Sequence, residues 1–113
     1  MSLSQVDTCW AAVVVFYSCL HLVDRLASRL NIHPQSHGDR QRFLTKHHRS
    51  ILVAYNDLKD ASEIARYGTM NQFQTMYPAT TVQTILIDQH LVAIETYVLA
   101  IFQPPPAPPP ASP

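Results

Sequence analysis

The sequence predicts an all-α fold: a four- to five-helix antiparallel (up-down) bundle that forms one domain over residues 1–102. Apolar residues recur at helical spacing over long segments. Glycine occurs only twice in 113 residues, and no turn of the Asn-Gly type marks a hairpin. About a hundred residues are enough for one modest hydrophobic core.

The first predicted helix covers residues 4–30. Ser4 is a candidate N-cap, with Asp7 three residues later. Two helical rows form one wide apolar face, which includes Cys9, Trp10, Val13, Phe16, Tyr17, Leu20, Val23, Leu26, Ala27 and Leu30. Pro34 then disfavours helical geometry at His33, so residues 31–35 are predicted to form a loop.

Three further helices are predicted, over residues 38–47, 50–67 and 80–102. Ser36 is a candidate cap for the second, with Asp39 at the third position. The third carries the apolar stripe Ile51, Tyr55, Leu58, Ser62 and Ala65, and it ends at Gly68. Residues 69–79 are predicted to be a connection, after which Thr80 or Thr81 caps the fourth helix.

The fourth helix is apolar nearly all round and contains no Lys or Arg. A helix of this kind is buried on both sides, and a chain this small has little else to cover it. Hydrophobic residues make up 47% of the chain and charged residues only 14%, against a usual quarter. These observations predict a homodimer that buries the fourth helix and part of the first.

Residues 103–113 form a proline-rich tail, which is predicted to be disordered and to adopt polyproline II geometry. Such a segment can dock a groove of the SH3 or WW kind. The alternative is a plain spacer.

Several classes of function find no support in the sequence. The net charge is zero, so no global field attracts nucleic acid. Cys9 and Cys19 lie about 15 Å apart along one helix, too far for a disulfide, which fits reduced thiols and a cytoplasmic location.

The apolar stretch from Ala11 to Val23 is short for a membrane span, so no membrane partner is expected. No phosphate-binding glycine loop is present, and six histidines without a ligand set predict neither a metal site nor a cofactor.

One local feature does suggest a ligand. Arg40, Arg42, Lys46 and Arg49 place half of the eight Lys and Arg residues within ten positions. Arg42, Lys46 and Arg49 follow one helix face and can neutralise phosphates along a nucleic acid backbone. The alternative is an ordinary solvated helix face.

Three segments carry a family resemblance. They are VVFYSCLHLVDRL from Val14 to Leu26, IHPQSH from Ile32 to His37, and the third predicted helix, which finishes in Ala65-Arg66-Tyr67. In this order and spacing they resemble HEPN domains, over residues 3–102. The resemblance implies a homodimeric helical bundle that acts on RNA, in many members as a metal-independent endoribonuclease of a toxin-antitoxin or defence system.

The resemblance also implies a catalytic Arg-x(4–6)-His motif. Arginine stabilises the charge that develops on the phosphate, and histidine moves a proton near neutral pH. The strict motif occurs at Arg42 and His47, whereas the family's usual place holds Arg66 and, in the position of histidine, Asn71. Either Arg42 and His47 are catalytic from an unusual place, or the domain is non-catalytic.

The predicted RNA-binding residues are His37, Arg40, Lys46, Arg49 and Arg66. The main alternative is a non-catalytic homodimer that serves as an interaction module for a partner such as a nucleotidyltransferase. A third interpretation is a helical protein of unrelated fold that uses the proline-rich tail for recruitment.

Overall fold

The computed structural model describes residues 5–103, with side chains from residue 8 onward, and all regular structure in that range is helical. The predicted all-α class is therefore confirmed there. Helices α1 to α5 have the bounds Gln5–Arg29, His37–His47, Leu52–Tyr67, Met70–Met76 and Ala79–Phe102. The predicted cap Ser4 and the predicted tail beyond Gln103 lie outside the described residues.

Helix α1 buries one face and exposes the other. Phe16, Val23 and Leu26 are buried as predicted. Trp10 and Tyr17, which the sequence assigns to the same apolar face, are instead 67% and 43% exposed. The predicted face is too wide, because the other helices cover α1 from one side only.

A Schellman motif ends α1. Asn31 has a φ of 60°, in the left-handed region that Asn tolerates. Its N–H donates to the Ser28 carbonyl, and the Ile32 N–H donates to the Ala27 carbonyl, both at 2.9 Å. The predicted loop over residues 31–35 is confirmed.

Two hydrogen bonds of Asp39 fix the start of α2. Ser36 Oγ accepts from the Asp39 N–H at 3.1 Å, as the cap prediction requires. The Asp39 carboxylate accepts from the Gln35 N–H at 3.0 Å. Phe43 and Leu44 of α2 are buried in the core. Together with the two hydrogen bonds, this packing fixes the rotation of the helix and therefore the side to which its later basic residues point.

A 3₁₀ turn, Arg49–Ile51, leads from α2 into α3. The predicted stripe is buried at Ile51, Tyr55, Leu58 and Ser62, and α3 ends before Gly68 as predicted. Its end lies beside the start of α1, where Ala65 and Trp10 line a common hollow. Helices α1 and α3 therefore run in opposite directions.

The predicted connection over residues 69–79 is wrong, because it contains α4. Thr69 caps this helix by accepting from the Gln72 N–H at 3.0 Å, and Phe73 is its buried residue. A helix of seven residues with one core contact has no repeated apolar stripe, which explains why hydrophobic periodicity fails to predict it.

Helix α5 matches the predicted range to within one residue, although its predicted Thr cap is wrong. Pro78 occupies the N-cap position, and no side chain caps the helix. From Val82 to Leu91 the helix is π-helical, with hydrogen bonds from i to i+5. In an α-helix Leu86 and Ile94, eight residues apart, would point about 80° away from each other. Both are buried here, and the wider turns of the π-helical segment reduce the angle between them.

One hydrophobic core receives a buried side chain from every helix: Phe16, Leu44, Tyr55, Phe73 and Leu86. Two helical stretches, Thr8–Arg29 and Ala79–Phe102, are nevertheless long and apolar enough to cross a membrane by length and composition. One or two such helices are weak evidence for a membrane span. The apolar stretch is 39% buried in the first helix and only 17% buried in the second.

Candidate nucleic-acid interface

An open hollow of about 300 Å³, hereafter the α2 hollow, lies between α2 and the loop that precedes it. Its lining consists of Ile32, His33, Pro34, Asp39, Arg42, Phe43, Lys46 and His47. Three predicted site residues, Arg42, Lys46 and His47, therefore meet in one place. His33 adds a second imidazole that the sequence analysis did not assign to a site.

The α2 hollow has an excess of positive charge. Arg42 and Lys46 supply two cations and Asp39 one carboxylate, so the sum is +1 before either imidazole binds a proton. A hydrogen bond from the Gln35 backbone, and after it the Arg42 guanidinium, lowers the pKa of Asp39 and keeps it anionic. Arg42 pairs with Asp39 but is 76% exposed. Exposed pairs are weak, so Arg42 is free to exchange this carboxylate for a phosphate.

Packing positions the His47 imidazole on the wall of the hollow. Its ring centroid lies 5.2 Å from that of Phe43, and Phe43 is itself 5% exposed. Arg42 and His47, the two residues predicted to be catalytic, thus line the same hollow, and the buried Phe43 ring packs against His47 there. An arginine for charge and an imidazole for proton transfer are the groups that phosphodiester cleavage without a metal needs.

Arg40 lies elsewhere, in the interior between α1 and α2. Its Nε and Nη2 donate to the two carboxylate oxygens of Asp24 at 2.8 and 3.0 Å. The side chain is 13% exposed, and the pair raises the pKa of Arg40. This bidentate geometry indicates a structural role, because a phosphate would have to displace a carboxylate that is already held in place.

His37 joins the same buried network at the start of α2. Its Nδ1 lies 2.9 Å from the Tyr55 hydroxyl, and Tyr55 is fully buried. Burial first, and then the positive charges of Lys59, Arg40 and Arg66, lower the pKa of His37. The neutral imidazole is therefore the favoured form, so His37 lies close to basic residues without adding to their charge.

The remaining two predicted RNA contacts lie apart from the hollow. Arg49 is exposed on the 3₁₀ turn. Arg66 is at the end of α3, where its Nη1 donates to the Tyr17 hydroxyl at 3.2 Å. Asn71, the residue in the family's usual histidine position, is exposed on α4. The turn at Gly68 and Thr69 thus separates the two residues of this later motif onto different helices.

His48 is a buried polar residue at the end of α2, and its burial was not predicted from the sequence. It is 7% exposed, because α2 ends at His47 and the chain turns inward there. Its Nδ1 lies 2.7 Å from the Tyr97 hydroxyl, while Nε2 is buried without a hydrogen-bond partner. The sequence gives only a weak indication that the chain turns inward at His48. The one sign is that apolar residues begin again at Ile51, after a polar segment.

Comparison with protein-family models, curated proteins and solved structures gives no match to this chain.

Proposed function

We propose that this chain is a HEPN-like RNA-acting protein in which the α2 hollow holds backbone phosphates. The observation that carries the proposal is the convergence of Arg42, Lys46 and His47 in one hollow of net positive charge. Contacts to phosphate supply most of the affinity of such proteins. In this proposal residues 1–102 form an antiparallel helical bundle, the proline-rich tail is disordered, and the protein works in the cytoplasm.

The proposal extends to cleavage as a metal-independent endoribonuclease. A neutral His47 accepts the proton of a 2′-hydroxyl, and the resulting oxygen attacks the adjacent phosphorus. Arg42 stabilises the charge on the phosphate oxygens. The 5′-oxygen leaves with a proton, for which a protonated His33 in the same hollow is a suitable source. The products are a 2′,3′-cyclic phosphate and a free 5′-hydroxyl.

The test of RNA binding is a salt titration with labelled single-stranded RNA, followed by fluorescence anisotropy. The double variant Arg42→Ala and Lys46→Ala should bind more weakly. Its plot of log affinity against log salt should also be shallower by about 1.4, at 0.7 per lost contact. Arg29→Ala, which removes an exposed arginine outside the hollow, is the control and should leave the slope unchanged. An unchanged slope in the double variant would show that the hollow is an ordinary solvated surface.

A second candidate function is the non-catalytic interaction module. The observation in its favour is the apolar outer face of α5, where Val92 and Leu99 are 46% and 59% exposed. The apolar stretch of this helix is only 17% buried within the chain. Exposed apolar patches mark association sites. In this alternative a second copy covers α5, and the dimer docks a partner such as a nucleotidyltransferase.

A further inference from the structure

Three aromatic rings are exposed around the start of α1 and the end of α3. Tyr67 is 79% exposed, Trp10 67% and Tyr17 43%. Trp10 and Tyr17 lie two turns apart on α1, about 10 Å along its axis. Buried aromatic side chains remove 150–250 Å² each from water and stabilise cores strongly, so three exposed rings in one region need a reason other than folding.

Arg66 joins these rings into one surface, which we call the aromatic platform. Its guanidinium carbon lies 5.0 Å from the ring centroid of Tyr67 and 5.9 Å from that of Tyr17. Arg66 also lines a hollow of about 370 Å³ together with Trp10 and Met70. The platform therefore combines flat π-faces with a planar cation.

Across residues 8–103, carboxylates pair with Arg40 and Arg42, but none pairs with Arg66. An apolar protein surface placed over the platform would bury this charge at a cost of several kcal/mol. A ligand that is aromatic and anionic at once would instead use both properties of the surface.

We propose that the aromatic platform stacks unpaired nucleobases of a bound RNA and so forms a base-contact surface separate from the phosphate site. Unpaired bases stack on aromatic rings and on arginine planes, whereas the bases of a duplex have no free faces to offer. This inference rests on the RNA-binding function proposed above and adds a second contact surface to it.

The platform lies near the start of α2. The Phe16 ring centroid is 6.1 Å from that of Tyr17 and 5.5 Å from that of His37, the residue that begins α2. From His37 to His47 the helix covers about 15 Å. We expect a strand with its bases on the platform to continue along α2 and to place its phosphates at Arg42 and Lys46.

Trp10 provides a direct readout because it is the only tryptophan in the chain. Stacking of a base on its ring should quench its fluorescence. Single-stranded RNA should quench it in a saturable way, while heparin, a polyanion without bases, and duplex RNA of the same sequence should not. Heparin should still displace labelled RNA from the α2 hollow.

Substitutions at Tyr67 test the energetic contribution of stacking. Tyr67→Ala should weaken binding of single-stranded RNA by about fivefold or more, and Tyr67→Phe should restore it. Val53→Ala, which alters a 68% exposed residue at the other end of α3, is the matched control and should have no effect.

The possible outcomes distinguish the proposed phosphate site in the α2 hollow from the proposed aromatic platform. If anisotropy shows RNA binding that depends on Arg42 and Lys46, but Trp10 fluorescence and Tyr67→Ala change nothing, the platform is wrong and the phosphate site stands. If Tyr67→Ala lowers self-association in light scattering and leaves RNA affinity unchanged, the platform is a protein contact. If no RNA binds at low salt, both proposals fail.

Discussion

His48 and Tyr97 form a buried hydrogen bond between the end of α2 and helix α5, with 2.7 Å between Nδ1 and the hydroxyl oxygen. The imidazole ring also meets the Tyr97 ring edge-on, with centroids 5.5 Å apart. Because Nε2 on the opposite side of the imidazole has no partner, the pair suits a neutral histidine. A proton on His48 would place a charge where nothing accepts its second N–H.

The first prediction is that the protein loses stability in mild acid. Burial lowers the pKa of His48 below its usual 6.5, and burial also lowers that of His37. Below about pH 6.5 the unfolded chain binds protons that the folded chain does not, so the free energy of unfolding falls as pH falls. The fall continues down to the lowered pKa values and levels off there. Urea unfolding between pH 7.5 and 4.5 measures the effect.

Two histidine-to-glutamine variants, one test and one control, check this assignment. His48→Gln should flatten the pH dependence of stability, although the variant is less stable at pH 7. His21→Gln, which changes an exposed residue of α1, should retain the pH dependence. A flat profile in the unmodified protein would contradict the prediction.

The second prediction separates a structural arginine from a binding one. Arg40→Met should lower the free energy of unfolding by about 2 kcal/mol, because it removes two charge-assisted hydrogen bonds to Asp24. This loss in free energy of unfolding is smaller than the loss expected for a fully buried ion pair, because the Asp24 side chain is 35% exposed. Arg42→Ala should cost less than about 0.5 kcal/mol. Equal losses in urea unfolding would contradict this assignment.

The third prediction concerns cleavage. The unmodified protein should cut end-labelled RNA in EDTA and leave a 2′,3′-cyclic phosphate, which a cyclic-phosphate-specific ligase detects. His47→Ala should abolish cleavage with less than about a twofold change in RNA affinity, because the imidazole moves a proton rather than holding the phosphate. Equal cleavage by both proteins would exclude His47. If neither protein cleaves RNA that it binds, the domain only binds.

The fourth prediction tests the homodimer. Leu99→Glu should convert a dimer into a folded monomer, because the exposed site accepts a charge in the monomer but not in an interface. Leu91→Glu is less informative, since Leu91 is half-buried within the chain and its replacement also strains the fold. Light scattering at micromolar concentration measures the mass, with Leu99→Met as the control. A monomeric unmodified protein that co-sediments with lipid vesicles would instead favour α5 as a membrane contact.

Long periodic segments made most of the fold predictable. Helices α1, α2, α3 and α5 follow from apolar stripes and from local signals such as Ser36 and Gly68, which act within a few residues. Helix α4 was not predictable in this way, because its one buried residue, Phe73, gives no period. The exposure of Trp10 was missed for a different reason: periodicity shows which residues share a face, but not how much of that face a neighbouring helix covers.

The candidate site was predictable only in part. The spacing of Arg42 and Lys46 on one helix face is visible in the sequence, and the structure places both in the α2 hollow. Arg40 has the same residue type and lies in the same segment, yet it pairs with Asp24, sixteen residues away on another helix. Contacts between helices of this kind, including those of His48 and Arg66, depend on packing that a single sequence does not display.

The π-helical segment of α5 gives this helix a place where a one-residue deletion can be accommodated. Leu86 and Ile94 are eight residues apart, one more than the heptad spacing of seven. The wide turns of the π-helical segment accommodate the extra residue. Deletion of Gln89 would leave them seven residues apart, a spacing that an ordinary α-helix already places on one face. We therefore expect the shortened chain to fold with α5 as a regular α-helix, so a one-residue deletion is better tolerated at Gln89 than at other positions of this helix.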